Sequence, residues 1–415
     1  MTAQAADAVE PDPARIGTSA IVEFGELTIV PDGDEFIVGD PALGVFLGLP
    51  EIGVTAIENL RAGRTVGETA AILTEVAGED VDLAEFVAGL VEAGLVRSVN
   101  GAGALPAAAQ TAGRRWIAGV RPERARWLFG RVAWLCYAAC AAWSLGVLVL
   151  LPQYRPSFES TLFYPDPAVS IGVIVVVAIV VGSVHEAWHW LAARAEGLSA
   201  RFAVSRRAFL PVLETDLTQL WSLPRRRRYG PLLAGLAFDF AVLAGCLLLR
   251  IAAGPLALPP VLDRFLAVVV LIEVIQTGFQ CLLFLRTDMY LVVSTALGCQ
   301  DLLRVTRLFL RGRLTVLSPA QQADLAGAHP RDLRAAPWFA LINIAGFGVL
   351  AWLLINQWLP ATAVMGGWVV FGLAHASVRQ ASFWEGLVIA VLLLSQVAWP
   401  LAVYLKERRT RGTVQ

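Results

Sequence analysis

The chain contains little charge for its length. Only 16% of its 415 residues are Asp, Glu, Lys or Arg, whereas 57% are hydrophobic and the mean hydropathy is +0.63. Soluble domains carry about 25% charged residues, so the composition excludes a soluble globular class and favours a polytopic membrane protein. Cysteine is also scarce: the five cysteines form no CxxC pair and most lie in apolar stretches, which argues against a disulfide scaffold.

Charge is distributed unevenly along the chain. Residues 1–100 contain 18 acidic and four basic residues, whereas the remainder contains 29 basic and 16 acidic residues. This asymmetry predicts an acidic soluble head joined to a basic membrane body. The start of the chain lacks the basic and apolar segments of a secretory signal. We therefore expect residues 1–17 to be a disordered lead-in.

Residues 18–100 have the pattern of a small α/β domain. Short strand candidates precede and follow three amphipathic helices, the second of which begins with a Thr65–Glu68 capping box. The predicted strands are Glu26–Pro31, Glu35–Val38, Leu43–Leu49 and Leu95–Val99, and the predicted helices are Pro50–Leu60, a helix from Thr65, and Asp82–Ala93. This order predicts a winged-helix fold. Its acidity disfavours phosphate binding, so we expect no nucleic-acid partner.

The rest of the chain predicts an all-α membrane body. Residues 101–126 are expected to be a linker followed by a basic juxtamembrane segment, and 127–415 the membrane domain. Arginines before the first span place the N-terminus in the cytoplasm. We predict about six transmembrane helices, with 361–377 as a weaker seventh or a re-entrant segment; the six lie at about 128–151, 168–194, 230–252, 264–285, 337–358 and 383–405.

An HExxH sequence, HEAWH, ends the second predicted span. Two histidines at i and i+4 face the same way on a helix, so His185 and His189 can bind one Zn²⁺, with Glu186 beside it as a proton acceptor. Polar groups are costly in hydrocarbon, which favours a functional role. The alternative is a pair of interfacial histidines at a helix end.

A zinc site needs a third protein ligand, and the candidates are Asp239, Glu273 and Asp288. Asp288 follows the fourth span, whose end reaches the same membrane face as the two histidines if the spans alternate. Depth therefore favours Asp288, although a plain helix-end carboxylate is the alternative. Asp239 lies deeper, where it either bonds across the bundle or orients a ligand histidine.

Three further features are ambiguous in the sequence alone. A polar stripe on the fourth span either lines a water path or packs helices by hydrogen bonds; it comprises Glu273, Gln276, Thr277 and Gln280. Ser199–Val204 and Ala208–Leu213 predict a hairpin that either holds an extended substrate by β-augmentation or is a plain surface feature. Arg225–Arg228 favour contact with anionic lipid headgroups, with a site for a substrate carboxylate as the alternative.

These residues carry a resemblance to a known family. HEAWHWLAARAEG resembles the first motif of the site-2 protease class of intramembrane zinc metalloproteases. FLRTDMYLVVSTALG, from Phe284 to Gly298, is similar to the second motif of its "putative peptide zinc metalloprotease" branch, and Phe209–Asp239 resembles the intervening stretch. The chain departs from the pattern where Met289 replaces a glycine and where the usual upstream Asn-Pro is absent.

The resemblance implies a function. It implies Zn²⁺ held by His185, His189 and Asp288, with Glu186 as general base, in a multi-pass protein of the bacterial cytoplasmic membrane. It also implies that 18–100 is a PqqD-like module and that the substrate is a ribosomally made precursor peptide that loses its leader near the cytosolic face. Two alternatives stay open: proteolysis of a membrane-anchored regulator, and a non-catalytic peptide transporter or immunity protein.

Overall fold

A computed structural model of the chain describes residues 16–103, 119–157, 161–207, 210–253, 255 and 258–412. The predicted lead-in lies almost wholly outside these residues, as do 104–118 of the predicted linker. The described chain is mainly helical with a small N-terminal sheet domain, as predicted. It divides into two compact units. Unit 1 comprises residues 1–124, 193–201 and 216–229, and unit 2 comprises 125–192, 202–215 and 230–415.

The N-terminal part of unit 1 contains every strand and helix that the sequence predicts there. Its helices are α1 (Glu51–Arg61), α2 (Val66–Ala77) and α3 (Leu83–Glu92). Its strands form two antiparallel sheets, β1-β5-β6 and β2-β3-β4; they are β1 (Val22–Phe24), β2 (Thr28–Asp32), β3 (Glu35–Asp40), β4 (Val45–Leu49), β5 (Val96–Val99) and β6 (Ala102–Gly103). The sequence did not predict β1 and β6, which are too short to show an alternating pattern.

Local chemistry explains why these helices begin where they do. The predicted capping box is present: the Glu68 N–H donates to Thr65 Oγ1 at 3.2 Å, and the Thr65 N–H donates to Glu68 Oε2 at 2.9 Å. The Glu68 carboxyl has a pKa below its usual value because of these bonds to Thr65. The apolar faces of the sheets and helices meet in one core that includes the fully buried Val38, Ile57 and Val87.

Two later segments of unit 1 contact this domain directly. The guanidinium of Arg228, which is only 1% exposed, pairs with Asp32 at 3.1 Å and lies over the ring of Trp221. The Gln219 side chain donates to the carbonyl of Pro41 at 2.8 Å and accepts a hydrogen bond from the Ser199 N–H at 2.8 Å. The acidic head is thus attached to the segments on either side of the predicted hairpin. Arg228, predicted to face lipid, is buried against it.

The remaining described helices run from residue 122 to the end of the described chain. They are α4 (Pro122–Arg126), α5 (Arg131–Leu150), α6 (Pro167–Ala195), α7 (Arg225–Ile251), α8 (Pro260–Gln280), α9 (Asp288–Leu297), α10 (Leu302–Leu314), α11 (Pro319–Ala326), α12 (Pro330–Leu353), α13 (Leu359–His375) and α14 (Ala381–Gly412). Four apolar runs among the described residues are long enough to cross a membrane: α5, α6, α7 and the 46-residue run Pro330–His375.

The four runs differ from the predicted spans in identifiable ways. Helix α8 covers the predicted fourth span but carries Asp263, Arg264 and Glu273, so it is less apolar than the four. The predicted segment 361–377 is not separated from the span before it, because α12 continues into α13 through one π-helical turn at Leu354–Trp358. The count of six crossings therefore stays a prediction.

Two apolar clusters in unit 2 pack the helices that carry Asp239, Glu273 and Asp288. Val147 of α5, Leu243 and Leu247 of α7, and Val270 of α8 form one buried cluster. A second cluster joins α9, α10 and α12, in which the rings of Tyr290 and Phe339 lie 5.9 Å apart. The predicted hairpin is also present: β7 (Arg201–Arg207) pairs with β8 (Leu210–Asp216), while 208 and 209 lie outside the described residues.

Candidate metal centre

The two histidines of HEAWH lie one turn apart on α6 and point to the same place, as their spacing predicts. Their Nε2 atoms are 3.2 Å apart. Asp288, at the start of α9, brings its Oδ2 to within 3.1 Å of the His185 Nε2 and 3.2 Å of the His189 Nε2. The three residues are 3%, 2% and 8% exposed. Of the three candidates, Asp288 is thus the carboxylate that lies with both histidines, and the group could hold a metal ion.

The chain reverses between α8 and α9 in a way that delivers Asp288. A short turn at Leu283–Leu285 is followed by Arg286, whose φ of 57° lies in the left-handed region. Met289, where the resembled family has glycine, adopts ordinary helical conformation inside α9. The left-handed residue of this turn is Arg286, and the helical backbone at 289 does not require glycine. Phe284 stacks on Phe347 of α12 at 4.2 Å and anchors the turn.

Hydrogen bonds to the other ring nitrogens determine which tautomers the histidines adopt. The Nδ1 of His185 lies 2.9 and 3.0 Å from the two carboxylate oxygens of Asp239, and the Nδ1 of His189 lies 2.7 Å from the carbonyl oxygen of Pro231. Both partners are acceptors, so both imidazoles donate through Nδ1. In the neutral form of each ring, Nε2 is then the atom with the free lone pair, and both Nε2 atoms face each other and Asp288.

When both rings are neutral, three acceptor atoms therefore converge on one position. In that form the arrangement is repulsive unless a cation lies among them. Ligand atoms bonded at about 2.0–2.1 Å to one tetrahedral ion lie about 3.3–3.4 Å apart. The observed separations of 3.1–3.2 Å lie within about 0.3 Å of that spacing, so the group could hold such an ion.

Gly235 of α7 lies directly against the two Nε2 atoms. A Cβ built at this position would meet the His185 Nε2 at 2.3 Å and the His189 Nε2 at 2.4 Å. No side chain fits there, so this glycine keeps the space beside the donor atoms open. Sequence reasoning did not single it out. Its place one turn before Asp239 on the same helix was the available signal.

Glu186, the predicted general base, is held by the end of the hairpin. Its Oε2 accepts a hydrogen bond from the backbone N–H of Thr215 at 2.7 Å, and its backbone carbonyl accepts one from the Thr215 hydroxyl at 2.9 Å. The hairpin, which sequence reasoning considered only as a substrate-binding or surface feature, therefore fixes the orientation of this carboxylate.

The base of the hairpin is fixed by the neighbouring Asp216. This carboxylate pairs with Arg201 and accepts hydrogen bonds from the N–H and hydroxyl of Thr218. Partial burial raises the pKa of Asp216. The hydrogen bonds from Thr218 and the pairing with Arg201 together lower it by more, so the net pKa is below its usual value. Asp216 therefore stays ionised at neutral pH and keeps the two strand ends together.

The other polar candidates separate into two groups. Gln276 donates to Asp239 at 3.0 Å and Gln280 donates to Asp288 at 2.9 Å. Each glutamine therefore contacts a carboxylate that itself contacts His185. Glu273 is fully buried outside the cluster, and neither of its carboxylate oxygens has a hydrogen-bond partner among the described residues. The hydroxyl of Thr277 likewise has no hydrogen-bond partner among the described residues. The sequence left two roles open for Asp239, bonding across the bundle or orienting a histidine, and its contact with the His185 Nδ1 fits the orienting role.

Comparison with known proteins adds no identity to this geometry. The chain matches no described protein family, no curated protein and no solved structure. The chemistry of the site therefore has to be argued from the residues and their arrangement alone.

Proposed function

We propose that this chain is a zinc-dependent endopeptidase of the bacterial cytoplasmic membrane that hydrolyses a peptide bond near the cytosolic face. The observation that carries the proposal is the convergence of the His185, His189 and Asp288 donor atoms to within 3.2 Å, with Glu186 next along α6. His189 and Asp288 are 99 positions apart in the chain, yet they meet in a buried site on apolar helices. Unpaired polar groups are costly in such a place.

Zinc is the metal that this donor set suits best. Two imidazole nitrogens and one carboxylate oxygen leave a fourth tetrahedral position open, as in catalytic zinc sites with three protein ligands. When bound, Zn²⁺ lowers the pKa of water from about 15.7 to roughly 7 and polarises a carbonyl group. The Asp239–His185 and Pro231–His189 bonds hold the ring hydrogen on Nδ1, so that Nε2 is the ligand atom of each imidazole, and they fix the orientation of both rings.

Glu186 supplies the proton transfers. With Oε2 held by the Thr215 N–H, its Oε1 accepts a proton from the attacking water and then delivers it to the departing amide nitrogen. Because the Thr215 bond fixes the carboxylate plane, the same oxygen is presented at both steps. General acid–base catalysis of this kind contributes about 10²–10⁴-fold to the rate.

We further propose that the substrate is a ribosomally made precursor peptide whose leader is removed. The domain at 22–103 has three helices with strands before and after them, which is compatible with a PqqD-like module, and its acidity suits a basic or amphipathic leader. A helix hides its peptide carbonyls, so the cleaved segment has to be extended. The hairpin β7–β8 ends on Glu186 and offers an edge for such a segment by β-augmentation.

The test compares the full-length chain, purified in detergent, with its Glu186→Gln variant. Metal content is measured by elemental analysis. Cleavage is followed by mass spectrometry with a precursor peptide encoded beside the gene of this chain. We expect the wild type to hold one zinc per chain and to cleave, and Glu186→Gln to hold zinc but lose cleavage by at least about 100-fold. Asp324→Asn is the matched control, since Asp324 is exposed on α11.

The other possible outcomes would contradict the role of Glu186 or favour an alternative function. Equal activity of the wild type and Glu186→Gln would contradict the role of the base. Zinc binding without cleavage of any peptide would favour a non-catalytic transporter or immunity protein. Cleavage of a membrane-anchored regulator, with no binding when a leader peptide is titrated into the full chain, would favour signalling proteolysis.

A further inference from the structure

Helix α8 supplies no member of the metal cluster, yet it touches both sides of it. Its Gln276 and Gln280 are one turn apart, so their side chains leave the same helix face. Gln276 contacts Asp239, the carboxylate that lies against the His185 Nδ1, and Gln280 contacts Asp288. Sequence patterns left these glutamines to helix packing or to a water path, and neither role requires such contacts.

Gln280 binds Asp288 at two points. Its Nε2 donates to Asp288 Oδ2 at 2.9 Å, and its Oε1 accepts from the Asp288 backbone N–H at 3.0 Å. The backbone carbonyl of Gln280 also accepts from the hydroxyl of the fully buried Thr287 at 2.7 Å. A carboxamide both donates and accepts, which a carboxylate or a hydrocarbon cannot do. The pairing therefore requires glutamine chemistry and not only glutamine size.

The oxygen that Gln280 contacts is the one that faces the two histidines. Asp288 Oδ2 is the atom 3.1 and 3.2 Å from their Nε2 atoms. The donated hydrogen bond therefore selects which carboxylate oxygen points at the metal position and fixes its direction. Gln280 is 6% exposed, so water does not substitute readily for this bond.

Gln276 acts on the opposite side through a longer chain of contacts. Its Nε2 donates to Asp239 Oδ1 at 3.0 Å, and the Asp239 carboxylate accepts from His185 Nδ1. The His185 Nδ1 already carries its hydrogen toward Asp239, so the 3.3 Å approach of Gln276 to that nitrogen is not a second donor bond. Gln276 thus steadies the carboxylate that turns the imidazole.

We propose that Gln276 and Gln280 form an amide clamp on α8 that sets the metal affinity of the centre, with Gln280 as the positioning residue of the carboxylate ligand. The inference rests on the proposed metal site. In this proposal, helix α8 holds together ligands that come from α6 and α9. Second-layer partners of this kind change metal affinity by about 10–100-fold.

The test measures Zn²⁺ affinity, which needs no substrate. The full-length chain in detergent is titrated against a chromophoric chelator of known zinc affinity. Gln280→Ala is expected to weaken zinc binding about 10–100-fold. Gln280→Glu is expected to weaken it at least as much, because two carboxylates then face each other without a donor between them. Thr277→Val, one turn away on α8, removes no hydrogen bond to a described residue and should bind zinc like the wild type.

A role limited to filling space predicts the opposite order, since glutamate is nearly isosteric with glutamine. Wild-type affinity in Gln280→Glu would therefore overturn the proposal. The absorption spectrum of bound Co²⁺ gives a second readout, which should differ from that of the wild type in Gln280→Glu and not in Thr277→Val. If the wild type binds no zinc, both the proposed function and the clamp fail. If it binds zinc and the Gln280 variants bind equally well, only the clamp fails.

Discussion

Substituting alanine for Gly235 adds one methyl group next to the two Nε2 atoms. The new Cβ would lie 2.3–2.4 Å from them, against the 3.0 Å below which real Cβ contacts essentially never occur. The histidines or α7 must therefore move by about 0.6–0.7 Å, whereas zinc–ligand distances tolerate about 0.2 Å. We expect zinc affinity to fall by at least about 100-fold, or about 2.7 kcal/mol.

The stability of the helix itself should change little or in the other direction. Replacing glycine by alanine inside a helix is favourable by about 0.5–1 kcal/mol. Gly245→Ala makes the same chemical change ten residues later on α7, where a Cβ meets nothing within 4 Å. This variant should bind zinc like the wild type in the same chelator competition.

The reasoning fails if Gly235→Ala binds zinc within about threefold of the wild type. It also fails if Gly245→Ala loses as much affinity as Gly235→Ala, because the effect then comes from helix α7 in general and not from the steric contact. Elution of both variants at the wild-type volume in size-exclusion chromatography confirms that the comparison is between folded proteins.

Two further substitutions test the surroundings of the site and the attachment of the acidic head. Asp239→Asn removes the charge that orients His185, so zinc affinity in the chelator competition should fall about 10–100-fold; unchanged affinity would show that the imidazole is positioned by packing alone. Asp32→Ala leaves the buried guanidinium of Arg228 unpaired and should destabilise unit 1 by about 3–5 kcal/mol in thermal unfolding, against less than about 1 kcal/mol for Asp301→Ala, which breaks an exposed pair with Arg304.

The grouping of His185, His189 and Asp288 was predictable because the prediction needs only short-range geometry and expected depth. Helical periodicity alone places His185 and His189 on one face. The predicted alternation of spans then places the chain near Asp288 at the same membrane face. Neither argument requires knowledge of which helices are neighbours.

The supporting contacts were not predictable, because they depend on how neighbouring helices are rotated. A sequence shows that Gln280 lies on a polar stripe but not that the stripe faces the start of α9. The same limit applies to Gly235 and to the Thr215 bond with Glu186, which joins a strand end to a helix 29 residues away. Each of these pairs becomes visible only once the helices and the hairpin are packed.

The break expected near residue 360 illustrates a different limit. Pro360 lacks an N–H and normally ends or kinks a helix. Here the π-helical turn at Leu354–Trp358 directly precedes it and shifts the hydrogen-bond pattern, so Pro360 occupies the first turn of α13, where its missing donor is tolerated. Composition and hydropathy give no signal for such a turn.

The separation of the donors along the chain has a consequence for biosynthesis. Asp288 is translated 99 residues after His189, which takes a ribosome about 5–20 s at about 5–20 residues per second. During that interval the nascent protein offers two imidazoles and no carboxylate partner from α9. Under the proposed function, the chain would stay inactive during its synthesis and would become competent only after the turn at Arg286 has brought Asp288 to the two histidines.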